Sequence, residues 1–165
     1  MKNKNALALL VPLLAAGCSD PVAPPACDQR IAGNLCIVAG RGENGYDPNA
    51  ETEALPALQA KMSLPQDTLT ASDGSIYILD WNNHRIRHLA DGHLSWLAGR
   101  GELGGNLDDP ANGDFNHPTN IIFDPSGSNI IIAAWHNSKI RTLSVDTGEI
   151  VDTCGDGKRA YFGAT

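Results

Sequence analysis

Two stretches of the chain are almost continuously apolar, Ile76-Tyr77-Ile78-Leu79 and Ile130-Ile131-Ile132-Ala133. Each is bounded by turn chemistry: Ser72-Asp73-Gly74 precedes the first, and Asp124-Pro125-Ser126-Gly127 precedes the second. Short apolar runs between such turns predict strands covered on both faces. Around each run the pattern predicts three more strands. The first set lies near 66–71, 75–80, 85–90 and 93–98, and the second near 119–123, 129–134, 139–145 and 149–153. Asp91-Gly92 and Thr147-Gly148 provide the turns between the last two strands of each set.

The two sets are copies of one unit. Trp81 and Trp135 stand 54 residues apart, as do Arg87 and Arg141, whereas Pro65 and Pro118 stand 53 apart, which places a one-residue insertion at the Asp124–Gly127 turn. A glycine loop recurs with them. Residues 37–45, Ile-Val-Ala-Gly-Arg-Gly-Glu-Asn-Gly, match Trp-Leu-Ala-Gly-Arg-Gly-Glu-Leu-Gly at 96–104, and Gly155-Asp156-Gly157 begins a degenerate third copy. Gly40 to Gly45 fits the Gly-x-Gly-x-x-Gly phosphate pattern, but that fingerprint needs a helix opening at the last glycine, and Tyr46-Asp47-Pro48-Asn49 is turn chemistry. A loop met three times reads as a repeat junction, so no nucleotide is expected.

Four antiparallel strands repeated every fifty-odd residues predict an all-β fold, a β-propeller of four-stranded blades stacked face to face around an axis. "DGSIYILDWNNHRIRHL" and "LAGRGELGG" resemble the NHL-repeat β-propellers, with Asn83-His84-Arg85-Ile86 as the motif that gives the family its name. The second copy departs from it at Asn137-Ser138-Lys139-Ile140, and Ala134 stands where the first has Asp80. The resemblance covers about residues 36–159 and implies a fold, not an activity, because the family spans binding scaffolds, regulatory adaptors and some lyases and hydrolases. Two repeats make an incomplete ring. The expected organisation is a latch strand and inter-blade loop over 36–62, blades over 63–104 and 105–157, and the start of a third over 158–165. Ile37–Ala39 match the fourth strand of a blade whose other strands are absent, so they are expected to be unpaired.

The N-terminus adds location. Lys2 and Lys4 precede an apolar core from Ala6 to Ala16, long enough for a signal sequence and too short to span a bilayer. Leu14-Ala15-Ala16-Gly17-Cys18 resembles the bacterial lipoprotein signal, with residues 1–17 removed and Cys18 carrying the lipid, although Ala15 stands where that signal has leucine. The resemblance implies a membrane partner through a lipid anchor in the cell envelope, and Ser19 favours the outer membrane. An ordinary secretory signal, with Cys18 as a disulfide partner, is the alternative. Ser19–Ala26 is a Pro-rich tether within residues 18–35. Cys27 and Cys36 flank Gly33-Asn34, a turn that brings them within reach of a disulfide, leaving Cys154 as a buried free thiol or paired beyond this chain.

The formal charge of −7 becomes −9 without Lys2 and Lys4, and no basic stripe exists, which excludes nucleic acid as a partner. Function would sit where the glycine loops and the second-to-third strand loops meet. Trp81, Asn83, His84, Trp135 and His136 from the latter, with Arg41 and Arg100 from the former, suit recognition of a protein or glycan. Structural roles compete: the Asn and His side chains satisfy turn backbone, the Trp rings pack between blades, and Arg87 and Arg141 pair with nearby acids. No catalytic residue, cofactor or metal is assigned, since His84 aligns with Ser138 and His88 with Thr142 and no ligand repeats. The alternative is a propeller enzyme, a metal-assisted lyase or lactone hydrolase, whose axial polar groups here would be Gln66, Asp67, Thr119 and Asn120.

Overall fold

The structure, a computed structural model, describes residues 31–107 and 113–158. The signal segment, Cys18, most of the tether, Cys27 and residues 159–165 lie outside the described residues. The chain divides into two units, residues 1–36 and 37–165. In the first, Asn34 N–H donates to Ile31 O at 3.1 Å across Gly33, whose φ of +91° suits glycine. Cys36 is disulfide-bonded.

The second unit is built from strands and short 3-10 turns. β1 (Leu55–Pro56), β2 (Asp67–Thr70), β3 (Ile76–Asp80), β4 (Arg85–Ala90) and β5 (His93–Ala98) form one antiparallel sheet in the order β1-β5-β4-β3-β2. β6 (Asn120–Phe123), β7 (Asn129–Ala134), β8 (Lys139–Ser144) and β9 (Ile150–Cys154) form the other in simple sequence order. These are two blades of a β-propeller, an incomplete ring of all-β construction. The first blade has one strand more than expected, because Leu55 and Pro56 pair with Leu94 and His93 along its outer edge.

The repeat holds to the level of backbone angles. The turns Trp81–Asn83 and Trp135–Asn137 both end on a left-handed residue, His84 and Ser138, each at φ 52°. Both fourth strands meet a bulge at the same place, between Ile86 and Arg87 and between Ile140 and Arg141. The insertion lies where the offset changes: Ala71 N–H reaches Ser75 O, and Asp124 N–H reaches Asn129 O, one residue farther on.

The main core lies between the sheets. Tyr77, Leu79, Ile86 and Ala98 of the first blade face Ile121, Ile130, Ile132, Leu143 and Ile150 of the second, with Phe115 from the junction loop. The opposite face of the first blade, Ile78, Leu89 and Leu94, is covered by Ala57, Ala60 and Met62 from the segment that precedes it. Near the axis Ile121 N–H donates to Asp67 Oδ2 at 2.9 Å, tying β6 to β2. The outer face of the second blade is uncovered among the described residues: Ile122 is 58% and Val151 45% exposed. β7 is therefore buried on alternate residues, where its sequence predicted burial on both sides. Ile37–Ala39 form no strand, and Ile37 is 73% exposed. Cys154 is free and exposed at the end of β9 on the sheet margin, which corrects the alternative that it is a buried thiol.

Candidate functional site

The glycine loops and the second-to-third strand loops converge as expected. Gly40, Gly99 and Gly155 have φ of +88°, +86° and +94°, and a Cβ on Gly99 would lie 2.2 Å from His84 O. The loop glycines therefore let one strand's exit pass against the turn of the neighbouring strand pair, a path closed to other residues. At the same end, Asn83 Nδ2 donates to Gly45 O at 2.8 Å and Asn137 Nδ2 to Gly104 O at 2.7 Å. These amides tie each turn to the preceding glycine loop.

The tie has a buried ionic base in the first blade. Asp80, fully buried, accepts from Ser63 N–H at 2.8 Å, from Asn83 Nδ2 at 2.8 Å and from Arg87 Nη1 at 3.4 Å. Burial pushes the Asp80 carboxyl up despite these donors, and burial pulls the Arg87 guanidinium down. Both directions say the same thing: taking this pair out of water costs more than the pairing returns. Tyr46 closes the site with its ring 3.8 Å from Arg85 Cζ and 5.4 Å from Arg87 Cζ, a cation–π stack. In the second blade Ala134 has no carboxylate, and Arg141, also fully buried, takes its acid from the outer strand: Nε donates to Asp152 Oδ1 at 2.9 Å. Arg141 Nη1 and Nη2 donate to the carbonyls of Asp114 and Gly105.

Over this base lies a run of five rings. Trp81 meets His117 at 4.6 Å between centroids, His84 meets it edge-on at 4.7 Å, His117 meets His136 at 4.9 Å, and His136 lies 4.0 Å from Trp135. Asn116 Oδ1 only accepts, so at 3.0 Å it fixes the proton on His117 Nδ1. His136 Nδ1, 3.1 Å from the same nitrogen, is then an acceptor. Burial, followed by the charge His84 would feel from His117, pulls its imidazole down; burial and then His136 do the same to His117. Two buried ring nitrogens in this run, His84 Nδ1 and Trp81 Nε1, have no hydrogen-bond partner among the described residues.

Trp81, His84, Trp135 and His136 are thus brought together, and the residue that joins them is His117. Its position, one before Pro118 in a junction loop, gave the sequence no reason to place it between two turns. Its left-handed φ of 49° matches Leu64 at 52° in the preceding junction, so the backbone there repeats although the side chain does not. Arg100 and Arg41 stand apart from the rings. Arg100 grips Asp114 through Nε–Oδ1 at 2.8 Å and Nη2–Oδ2 at 3.0 Å, and Arg41 pairs with Glu43 within its own loop at 2.8 Å. Among the described residues no three His, Cys, Asp or Glu side chains converge as a metal site would need, and no helix is long and apolar enough to cross a membrane.

No protein-family model matches the sequence, and no curated protein matches it. Solved structures do. An auxiliary nutrient binding protein from Bacteroides thetaiotaomicron is 25% identical, with a TM-score of 0.51 over 71% of this chain and 28% of that one. A protein of the same description from Bacteroides ovatus is 20% identical, with a TM-score of 0.48 over 72% of this chain and 28% of that one. A streptogramin B lyase is 16% identical, with a TM-score of 0.40 over 60% of this chain and 32% of that one. The chain spans less than a third of the length of each.

Proposed function

We propose that this chain is part of an NHL-type β-propeller anchored in the bacterial cell envelope by a lipid on Cys18, with a Cys27–Cys36 bridge, and that its loop face is a non-catalytic binding surface for a carbohydrate or protein. The observation that carries the reading is the ring run Trp81–His84–His117–His136–Trp135, which ends on the exposed Trp135. The flat face of an exposed Trp135 ring suits stacking on the apolar face of a sugar or on an apolar side chain of a protein. Likeness to an auxiliary nutrient binding protein supports a nutrient-type ligand. The enzymatic reading has less beneath it, since Asp67 Oδ2, one of its few axial groups, is taken by Ile121 N–H.

The test is a glycan and peptide panel presented to the full chain, with Trp81→Ala and His136→Ala as variants and incorporation of labelled palmitate at Cys18 as the check on anchoring. A retained ligand that both variants weaken at least tenfold is expected. Ligands bound equally by the variants would remove the ring run from the function, and absence of label in the wild type would remove the anchor.

A further inference from the structure

The two junction loops share one backbone frame. Asn82 N–H donates to Ser63 O at 3.1 Å in the first, and His136 N–H donates to Asn116 O at 3.2 Å in the second. Leu64 and His117 hold the next position at φ of 52° and 49°. In the first junction the side chains on this frame are simple: Asn82 Nδ2 donates to Ser63 Oγ at 3.0 Å, and Leu64 is 60% exposed. All three positions change together in the second, to Asn116, His117 and His136. The frame closes without imidazoles, so the turn itself does not account for them.

These side chains bring three donor atoms together. His117 Nδ1 lies 3.0 Å from Asn116 Oδ1 and 3.1 Å from His136 Nδ1. A single hydrogen, on His117 Nδ1, serves both neighbours. The spacings are those of atoms around a metal ion: bonds of about 2.1 Å put neighbouring donors about 3.0 Å apart at right angles and about 3.4 Å apart at the tetrahedral angle. The two imidazoles meet at 77° with centroids 4.9 Å apart, closer than a head-on N–H···N contact of 3.1 Å would hold them. Their nitrogens therefore point off the line between them, as donors to a shared ion must. Asn116 N–H also donates to Asn137 Oδ1 at 3.0 Å, so two hydrogen bonds hold loop and turn in place before any ion arrives.

We propose that Asn116 Oδ1, His117 Nδ1 and His136 Nδ1 form a site for a divalent transition-metal ion that favours imidazole, such as Zn²⁺, with water in the remaining positions. Two donors are imidazoles and the third is an amide oxygen, so the site needs no trio of His, Cys, Asp or Glu. Binding replaces the shared hydrogen. His117 loses the proton on Nδ1 and takes one from water on Nε2, so its ring stays neutral; His136, already an acceptor at Nδ1, keeps its tautomer. None of the three donors belongs to the axial groups Gln66, Asp67, Thr119 and Asn120, and the first junction has Ser63, Leu64 and Asn82 in their places. The ion clamps one junction loop to one turn. Coordination lies in the ring planes and leaves the exposed face of Trp135 free, so the inference does not rest on the ligand reading.

The test uses the full chain carrying Cys154→Ser, which removes the exposed thiol as a competing ligand. Zn²⁺ alone, with no glycan or peptide present, is titrated by calorimetry at a pH about one unit above the ordinary imidazole value. One ion per chain is expected. His117→Ala or His136→Ala should weaken binding at least tenfold, and His93→Ala should leave it unchanged. Asn116→Asp should tighten it at least tenfold by adding a charge at the same atom, a gain that a poorly folded variant does not produce. With 15N-labelled imidazoles, zinc should move the His117 proton from Nδ1 to Nε2 and leave the His136 tautomer alone. A folded chain that takes no zinc, an affinity indifferent to His136→Ala, an Asn116→Asp chain that binds no more tightly, or a zinc-bound His117 still protonated on Nδ1 overturns the proposal.

Discussion

Replacing Asp80 with alanine isolates the price of the buried arginine. Arg87 and Asp80 are both fully buried, and apart from Asp80 Arg87 donates through Nε to Ser95 O at 3.4 Å. The Nη2 atom of Arg87 already has no partner among the described residues. Asp80→Ala would leave a guanidinium in the protein interior with its counter-charge gone, and breaking such a pair from one side costs about 3–5 kcal/mol. It also strips acceptors from Ser63 N–H and Asn83 Nδ2, each worth about 1 kcal/mol. Removing the arginine as well should return most of the first sum. We expect Asp80→Ala/Arg87→Met to fall only about 1–2 kcal/mol below wild type, the residue being the two lost hydrogen bonds. Urea unfolding followed by tryptophan fluorescence measures both, provided the slope of free energy against denaturant is shared. A single variant that loses under about 1 kcal/mol, or a double variant no better than the single, would refute the claim that the pair is held by mutual need.

The histidines make a pH prediction. The folded-state values of His84 and His117 lie below the ordinary 6.5, so the folded form binds protons less readily than the unfolded chain. Stability from these groups is complete above about pH 7 and is lost as pH falls through the unfolded value of about 6.5 toward the folded ones. Thermal melts should therefore decline on acidification across this window, and His84→Gln should flatten the decline; a melt unchanged by that variant's presence would sink the assignment. Gly99→Ala should cost at least about 2 kcal/mol in the same urea assay, since its φ is +86° and the new Cβ would collide with His84 O. A loss below about 0.5 kcal/mol would mean that the junction is looser than described.

The strands and their repeat could be read from the sequence because the apolar runs and their turns recur with little drift. β1 could not: Leu55-Pro56 is too short to carry a pattern, and its place on β5 depends on the covering segment before it. Ile37–Ala39 have the composition of a strand and form none, so composition alone does not make an element. Arg87 and Arg141 were legible as paired arginines, yet the acid of Arg141 was not, because the bulge after Ile140 brings Asp152 opposite Arg141 only once the strands are aligned in space. Residue type places Asn83 among candidate contacts, whereas the structure commits its amide nitrogen to Gly45 O and Asp80. His117 escaped for a related reason. Its neighbours come from loops of two blades, a coincidence that no local window contains.

The two buried arginines have consequences for how such a ring can be assembled in evolution. Each finds its carboxylate within its own sheet, on β3 in one case and on β9 in the other. Neither buried arginine borrows its carboxylate from the next blade, whereas the partly exposed Arg100 reaches across the boundary to Asp114. Duplicating, deleting or exchanging a blade therefore strands neither buried guanidinium, and a lineage can change its number of units without first solving a buried electrostatic problem at every new boundary. The acid is also free to migrate from one strand to another within a unit, so that aligned copies will disagree at both positions while conserving the same balance.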